Sequence, residues 1–484
     1  MKKLEGRFLC WDDKLIESSS NIDIRMHQPE KKNLALICDD EWEGPHNCYG
    51  SVIKVGDTYR MYYESAPMRH MMDKTISGGT ASICVALSKD GITFEKPNIG
   101  KYDYNGTKYN NIIFRREEYT LDNFSVFYDT NPACPADEKF KALSEVEIDG
   151  ISHLYCYVSE DGFDFREKSI IPTDGTYDSF NVLLWDSDSE QYVVYYRGFH
   201  NAEGENVREW AKLDLVNDVR VIRRATSKDF ENWTLHGDLK YEEGQEEYPM
   251  YVNQINKYYR APDMFIGLPF RYRDRAENKR NFDFMPLADR HQNITRLFGR
   301  EGTVLTDCVI MTSYDGQTFD RRDEAFITPG IEARNNWWYG NCETIYGFVE
   351  TKSDIQGAPN EISFYMGEGL RIKDVHFRRY TVRLDGFFSW YGKYSGGEVL
   401  TKTFEMGECT QMRLNFATSA VGGVVVAICD ENGEAIEGYE SYTIFGDTVD
   451  RPVEFEKPLS ELAGKTVRLR FNLSEAHLYS FIFE

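Results

Sequence analysis

The chain has 484 residues, 41% of them hydrophobic and 28% charged, apolar material for about two to four domains of ordinary size. Acidic residues outnumber basic ones 80 to 56, a formal net charge of −24. A surface of that sign repels nucleic acid and anionic membranes, whereas a neutral ligand meets no such barrier.

The opening residues, Met1-Lys2-Lys3-Leu4-Glu5-Gly6-Arg7, lead into no apolar stretch of signal-peptide length. The longest apolar run, 424–429, is too short to span a bilayer. The ten cysteines are scattered without a C-x-x-C pair and read as buried thiols in a reducing compartment. A cytoplasmic location is therefore the expectation. The nine histidines form no metal-binding spacing, and neither a metal nor another cofactor is expected. Aromatic content is high at 14%, led by Tyr and Phe, which suits strand surfaces and leaves some rings to stack on sugar faces.

Residues 1–44 are expected to form an N-terminal segment packing on the domain that begins at residue 45. From there a repeat dominates the chain. Ser88-Lys89-Asp90-Gly91-Ile92-Thr93-Phe94 recurs as Ser159-Glu160-Asp161-Gly162-Phe163-Asp164-Phe165, as Ser227-Lys228-Asp229-Phe230-Glu231-Asn232-Trp233 and as Ser313-Tyr314-Asp315-Gly316-Gln317-Thr318-Phe319. A degenerate fifth copy contains Asp385-Gly386. The physics is a tight turn: Asp caps the backbone, Gly takes a positive φ, and the aromatic buries at the next strand. A strand precedes each turn, and a second strand type (Tyr59-Arg60-Met61-Tyr62-Tyr63, Tyr192-Val193-Val194-Tyr195-Tyr196, Glu361-Ile362-Ser363-Phe364-Tyr365) precedes those.

Five β-rich units at roughly 70-residue intervals predict a five-bladed β-propeller over 45–390, with a long insertion within 271–300. After Asp385-Gly386 the pattern changes to short alternating strands, predicting a C-terminal β-sandwich over 394–484 that acts mainly as support. The fold class is all-β.

Ile83-Cys84-Val85-Ala86-Leu87-Ser88-Lys89-Asp90-Gly91, with Tyr109-Asn110-Asn111-Ile112-Ile113, Asp178-Ser179-Phe180-Asn181 and Leu478-Tyr479-Ser480-Phe481, resembles bacterial proteins similar to the N-terminal domain of glycoside hydrolase family 32. The resemblance covers nearly the whole chain and implies a propeller with a C-terminal sandwich and glycosidase activity. The W-M-N-D-P-N-G nucleophile motif of family 32 is missing. Arg260-Ala261-Pro262-Asp263 stands where R-D-P would, and Cys342-Glu343 where E-C would. Fructosidase roles and fructose specificity are therefore not implied.

In a propeller, residues at the entrances of the inner strands converge on one funnel. A carboxylate precedes each predicted inner strand: Glu43 before 49–55, Asp122 before 124–128, Asp178 before 181–185, Asp263 before 264–268 and Glu343 before 344–349. These five are the candidate catalytic groups, because glycoside hydrolysis usually needs one carboxyl to protonate the leaving oxygen and another to attack or to activate water. Glu343 leads as general acid, since Trp337, Trp338 and Tyr339 beside it would exclude water. Trp42, Asn123, Asn181, Arg197, Arg260, Trp337, Trp338, Tyr339 and Asn341 are the candidate substrate-binding residues, with Arg271 and Arg273 nearby. Each also has a plainer reading as a turn cap, packing ring or ion-pair partner, Arg334 being one such partner for Glu343.

The predicted function is hydrolysis of a glycoside or oligosaccharide. The alternatives are a glycoside phosphorylase, such as those of family 130, or a sugar-binding propeller without catalysis. Carbohydrate is the expected partner, nucleic acid and membranes are not, and homo-oligomerisation is left open.

Overall fold

The computed structural model describes residues 2–44, 49–65, 81–116, 122–214, 217–245, 248–286, 288–298, 302–333, 336–370 and 375–484. Five sheets form the blades of a propeller. The first runs through Gly50–Val55, Thr58–Ser65, Ser82–Ser88 and Ile112–Arg115; the second through Asp122–Tyr128, Phe140–Ile148, Ile151–Ser159 and Arg166–Ile171. The third comprises Val182–Asp186, Gln191–His200, Val219–Ser227 and Thr234–Asp238. In the fourth, Asn256–Lys257 is innermost, followed by Phe265–Gly267, Met311–Ser313 and Thr318–Arg321, with Lys240–Tyr241 at the edge. In the fifth, Val349–Thr351, Glu361–Glu368 and His376–Arg383 are completed by Glu30–Ile37 from the N-terminal region, pairing antiparallel. That strand supplies the outer strand of the fifth blade and so ties the N-terminal region to the last blade of the ring. Turn chemistry sets the local register: Asp149-Gly150, both at positive φ (52° and 77°), joins two nine-residue strands as a tight hairpin.

The repeated turn joins blade to blade. In Ser313-Tyr314-Asp315-Gly316, the Gly316 amide donates to Ser313 Oγ at 2.9 Å, and the Asp315 carboxylate accepts the amides of Gln317 and Thr318 at 2.8 Å. The hydroxyl of Tyr195, from the second strand of blade three, donates to the Gly316 carbonyl at 2.8 Å. Tyr365 of blade five bonds the Gly91 carbonyl of blade one in the same way. The Tyr62 hydroxyl of blade one lies 2.6 Å from where a Cβ on Gly162 of blade two would be. The turn glycine is thus a socket for a neighbouring tyrosine. Gly316 sits at φ 68°, and a Cβ there would meet the Tyr195 hydroxyl at 2.6 Å. Gly316→Ala is expected to cost about 1–3 kcal/mol, from left-handed backbone plus a displaced tyrosine. Gly106→Ala, at φ 85° with open space around it, carries only the backbone part. Denaturant unfolding of the two variants checks this, and G316A must lose more than G106A.

The insertion in the fourth unit lies between the paired strands Phe270–Asp274 and Val304–Cys308 and carries the helix Ala288–Phe298, the one α-helix among the described residues. No helix among them is long and apolar enough to cross a membrane.

The second domain is a β-sandwich. Two 18-residue strands, Met412–Cys429 and Thr466–Phe483, pair along most of their length and fold over a core that includes Phe404, Leu414, Val426, Leu469 and Phe481. The N-terminal strands Lys3–Leu4, Gly6–Leu9, Ile16–Ser20 and Ile22–Met26 belong to this network. Residues 1–44, expected to lie on the propeller, are therefore divided between the domains. Short strands with little alternation, such as Ile16–Ser20, pair wherever the longer strands offer an edge, and nothing local in them says which domain that is.

At the seam beside the fifth blade, His27 Nε2 lies 2.8 Å and His477 Nδ1 2.9 Å from the same Ser389 hydroxyl, with the two rings 5.0 Å apart. Burial pushes both imidazoles down to about 4, and Arg25 and Arg383 add to it. The unfolded chain then binds more protons than the folded one between roughly pH 4 and the ordinary value near 6.5. This part of the stability is complete above that ordinary value and is lost as pH falls toward 4. Midpoint temperature against pH should fall less steeply over that interval in a His27→Asn, His477→Asn double variant than in wild type.

Candidate active site

The inner strands run parallel around the axis, as the parallel bridge between Ser51 and Tyr346 shows for blades one and five. Their entrances consequently lie at one end of the funnel. Tyr251, just before the inner strand of blade four, stands at the centre of that mouth. Its hydroxyl is 3.1 Å from that of Tyr49, at the entrance of blade one, and 2.9 Å from that of Tyr339, before blade five. Burial, with Asp178 nearby, pushes the Tyr251 phenol up, so it stays a neutral hydroxyl. Tyr272 stacks on it at 6.1 Å.

Blade three supplies the charges. Arg197, 3% exposed, has its guanidinium 5.7 Å from the Tyr251 ring and 3.3 Å from the Asp178 carboxylate. Burial disfavours that charge, but Asp178 together with the Tyr251 and Glu145 groups outweighs it and holds the guanidinium in its charged form. Arg197 Nε donates to the Thr176 carbonyl at 3.0 Å, which aims the side chain. Arg220 lies over Tyr272 at 4.4 Å and over Phe199 at 5.2 Å, so two guanidinium groups lie against the Phe199 ring. Asp178 is 41% exposed and is the accessible carboxylate of this group.

Glu343, 8% exposed, precedes the last inner strand, Val349–Thr351, and lies four residues after Tyr339. The run before it is tightly turned, with Trp337, Gly340 and Cys342 all at positive φ. Asn341 shapes this loop, its side chain accepting the Trp338 amide at 2.7 Å while its own carbonyl accepts Thr306 Oγ1 at 2.7 Å. Trp338 is buried and faces His291 of the insertion helix, and Trp337 donates its indole N–H to the Gly330 carbonyl. Trp338 and Asn341 therefore build the wall, while Trp337 and Tyr339 remain part-exposed at the rim. Arg334, the structural partner expected for Glu343, lies outside the described residues.

Asn123, the second residue of the inner strand of blade two, is in left-handed backbone (φ 61°) and fully buried, its backbone N–H donating to Glu64 at 3.0 Å. Neither polar atom of its side-chain amide has a partner among the described residues. Asp122 is the first residue of that strand and pairs with Glu145; its side chain lies outside the described residues.

Other expected site residues are placed elsewhere. Asp263 sits in the turn after the inner strand of blade four, at the far end from the mouth, 2.6 Å from Lys2 Nζ. The expected inner strand at 264–268 is the second of its blade: the short strand Asn256–Lys257 lies inside it, too short and polar to stand out in the sequence. Arg260 is not at the mouth either, because it pairs with the buried Asp385 at 2.7 Å. Glu43 is wholly buried and accepts Tyr63 Oη at 2.6 Å and Lys96 Nζ at 2.8 Å. Burial raises its pKa against the pull of Lys96. Lys96 also reaches Asp39 and Asp40 at 2.9 Å, so an ammonium occupies the centre of this acidic cluster. Trp42 bonds Asn111 and packs near Tyr104. Asn181 spends its amide on the carbonyls of Tyr177 and Ser179 and on the Arg197 amide. Arg271 grips Asp307 with two bonds, and Arg273 pairs with Glu277.

Tyr49, Tyr251, Tyr272, Glu64, Glu145 and Arg220 were not anticipated. For two of them the sequence carries a signal: Glu64 follows the Tyr-Tyr pair of the second strand just as Arg197 does, and Glu145 holds the matching place in blade two.

No family model matches the chain, that of glycoside hydrolase family 32 included, and no curated protein matches it. Solved structures with a similar outline include one described under the family 130 of mannoside phosphorylases, which contains glycoside hydrolases that target β-1,2 mannosidic linkages in Candida mannan (12% identity, 73% of this chain and 94% of that one, TM-score 0.41). A second is Penicillium chrysogenum α-L-arabinanase complexed with arabinobiose (10% identity, 74% and 99%, TM-score 0.39). A third is exo-β-1,3-galactanase from Phanerochaete chrysosporium (8% identity, 94% and 100%, TM-score 0.38).

Proposed function

We propose that the chain is a glycoside hydrolase whose active site is the funnel mouth. The observation that carries this is the accessible Asp178 carboxylate held by buried Arg197 beside the linked hydroxyls of Tyr49, Tyr251 and Tyr339. Rings with fixed polar tips suit a sugar: faces stack on its C–H surface while hydroxyls meet its hydroxyls. In this reading Asp178 is the base or nucleophile and buried Glu343 the acid that protonates the leaving oxygen. Arg197 orients Asp178 through their ion pair.

The two buried guanidinium groups around Phe199 favour one second reading, phosphorolysis, with Arg197 and Arg220 receiving phosphate in place of a water nucleophile. A screen of chromogenic glycosides and oligosaccharides, furanosides included, with and without phosphate and with the product anomer followed by NMR, tests both. Hydrolysis in phosphate-free buffer that Asp178→Asn abolishes is the expected result. Strict phosphate dependence would replace the first reading by the second, and sugar binding with no new reducing end under any condition would sink both.

A further inference from the structure

At the opposite end of the propeller axis, the far ends of the inner strands of blades one, two, four and five surround a second cavity of about 930 Å³. That volume is in the range of about 300–1,000 Å³ typical of ligand sites. Its walls carry Tyr128, Tyr259 and Phe348, and its rim carries four lysines, Lys54, Lys89, Lys257 and Lys352, against two carboxylates, Asp90 and Glu350.

Both carboxylates are already committed. Asp90 caps its own turn, accepting Ser88 Oγ at 2.9 Å and the Ile92 amide at 2.8 Å. Glu350 accepts the Tyr259 hydroxyl at 3.1 Å on one oxygen and the Asn360 amide at 2.7 Å on the other. Of the lysines, Lys257 is neutralised by Asp186 and Asp188 at 2.7 and 2.8 Å. Lys54, Lys89 and Lys352 have no carboxylate within ion-pair distance among the described residues; Lys54 only overlies the Tyr59 ring at 5.0 Å.

We infer that this cavity binds an acidic oligosaccharide, with its carboxylates against Lys54, Lys89 and Lys352 and its sugar rings on Tyr259 and Phe348. Three lysines without an ion-pair partner among the described residues offer charged donors to a ligand's carboxylates, and adjacent ring faces select a ligand with apolar C–H surfaces over a bare ion. The site is separate from the funnel mouth and does not depend on catalysis there.

Titration calorimetry of the full chain with trigalacturonate, its fully methyl-esterified and hence uncharged counterpart, and inorganic phosphate tests this. Trigalacturonate should bind, more weakly as NaCl is raised, and should bind better than the ester. The Lys54→Ala, Lys89→Ala, Lys352→Ala triple variant should bind about tenfold or more weakly, since exposed ion pairs contribute up to about 1 kcal/mol each. Lys352→Ala alone should show a smaller loss. Glu343→Gln and Asp178→Asn should bind as wild type does. The inference is overturned if trigalacturonate does not bind, if the ester binds equally well, if the lysine variants leave affinity unchanged, or if the funnel variants abolish binding. Phosphate binding without trigalacturonate binding overturns it too.

Discussion

Asp385→Asn is expected to destabilise the protein by about 3–5 kcal/mol, the cost of removing one partner from a buried ionic network. Asp385 is fully buried between the domains. One carboxylate oxygen accepts Tyr258 Oη at 2.6 Å and Arg260 Nε at 2.7 Å; the other accepts Arg7 at 2.9 Å and Ser480 Oγ at 2.6 Å. Its own carbonyl accepts the Trp11 indole N–H at 2.8 Å. Burial alone would raise its pKa, but Arg7 and Arg260 outweigh that and hold it below the usual carboxylate range. Partners from the N-terminal segment, blade four and the sandwich meet on this one residue. The amide of Asn keeps the shape but leaves two guanidinium groups without a counter-charge and turns an acceptor into a donor facing donors. Denaturant unfolding measures the loss, and a variant within about 1 kcal/mol of wild type would refute the role, since that is what a surface pair contributes.

Asp385 also illustrates what a sequence can and cannot disclose. It was legible as the fifth, degenerate copy of the turn, although here the positive φ (58°) falls on the Asp itself and not on the residue after it, as it does in the other four copies. Its function as a hub was not legible, because Arg7, Arg260 and Ser480 are remote in sequence and no local pattern joins them. The blades were legible because each is a local unit: strand, hairpin and Asp-Gly turn follow one another within about 70 residues. The strand exchange that completes blade five was not, since Glu30–Ile37 pairs with His376–Arg383 across most of the chain. The same distinction divides the site. Asp178 precedes the inner strand Val182–Asp186 and ion-pairs Arg197, while Glu343 precedes the three-residue inner strand Val349–Thr351 four residues after Tyr339. Asp263 was misplaced because Asn256–Lys257, an inner strand of two polar residues, leaves no periodicity to count. Arg260 drew attention as a cation near a carboxylate, and its partner proved to be Asp385 in another part of the chain.

Glu343→Gln is expected to reduce turnover of substrates with poor leaving groups by about 10²–10⁴-fold, the usual contribution of a positioned proton donor. The substitution preserves size and removes the proton. Glu343 is almost wholly buried ahead of the last inner strand, where its carbonyl accepts the Gly367 amide at 3.2 Å from the neighbouring strand of the blade, so its backbone is fixed by the blade and not by the side chain. A Cβ on Gly340 would come within 3.7 Å of its carboxylate, close enough that the turned loop carrying Tyr339 sets what reaches it. A sugar resting on the Tyr339 and Tyr251 rings would bring its glycosidic oxygen along that loop. If Glu343 is the acid, glycosides with activated leaving groups should be cleaved at near wild-type rate, because such groups depart without protonation. The acid limb of the pH–rate profile should persist on those substrates and the basic limb should vanish, since the basic limb reports loss of the donor's proton. Equal losses on both substrate classes would assign Glu343 to holding the loop, and undiminished turnover on the poor leaving group would remove it from the reaction altogether.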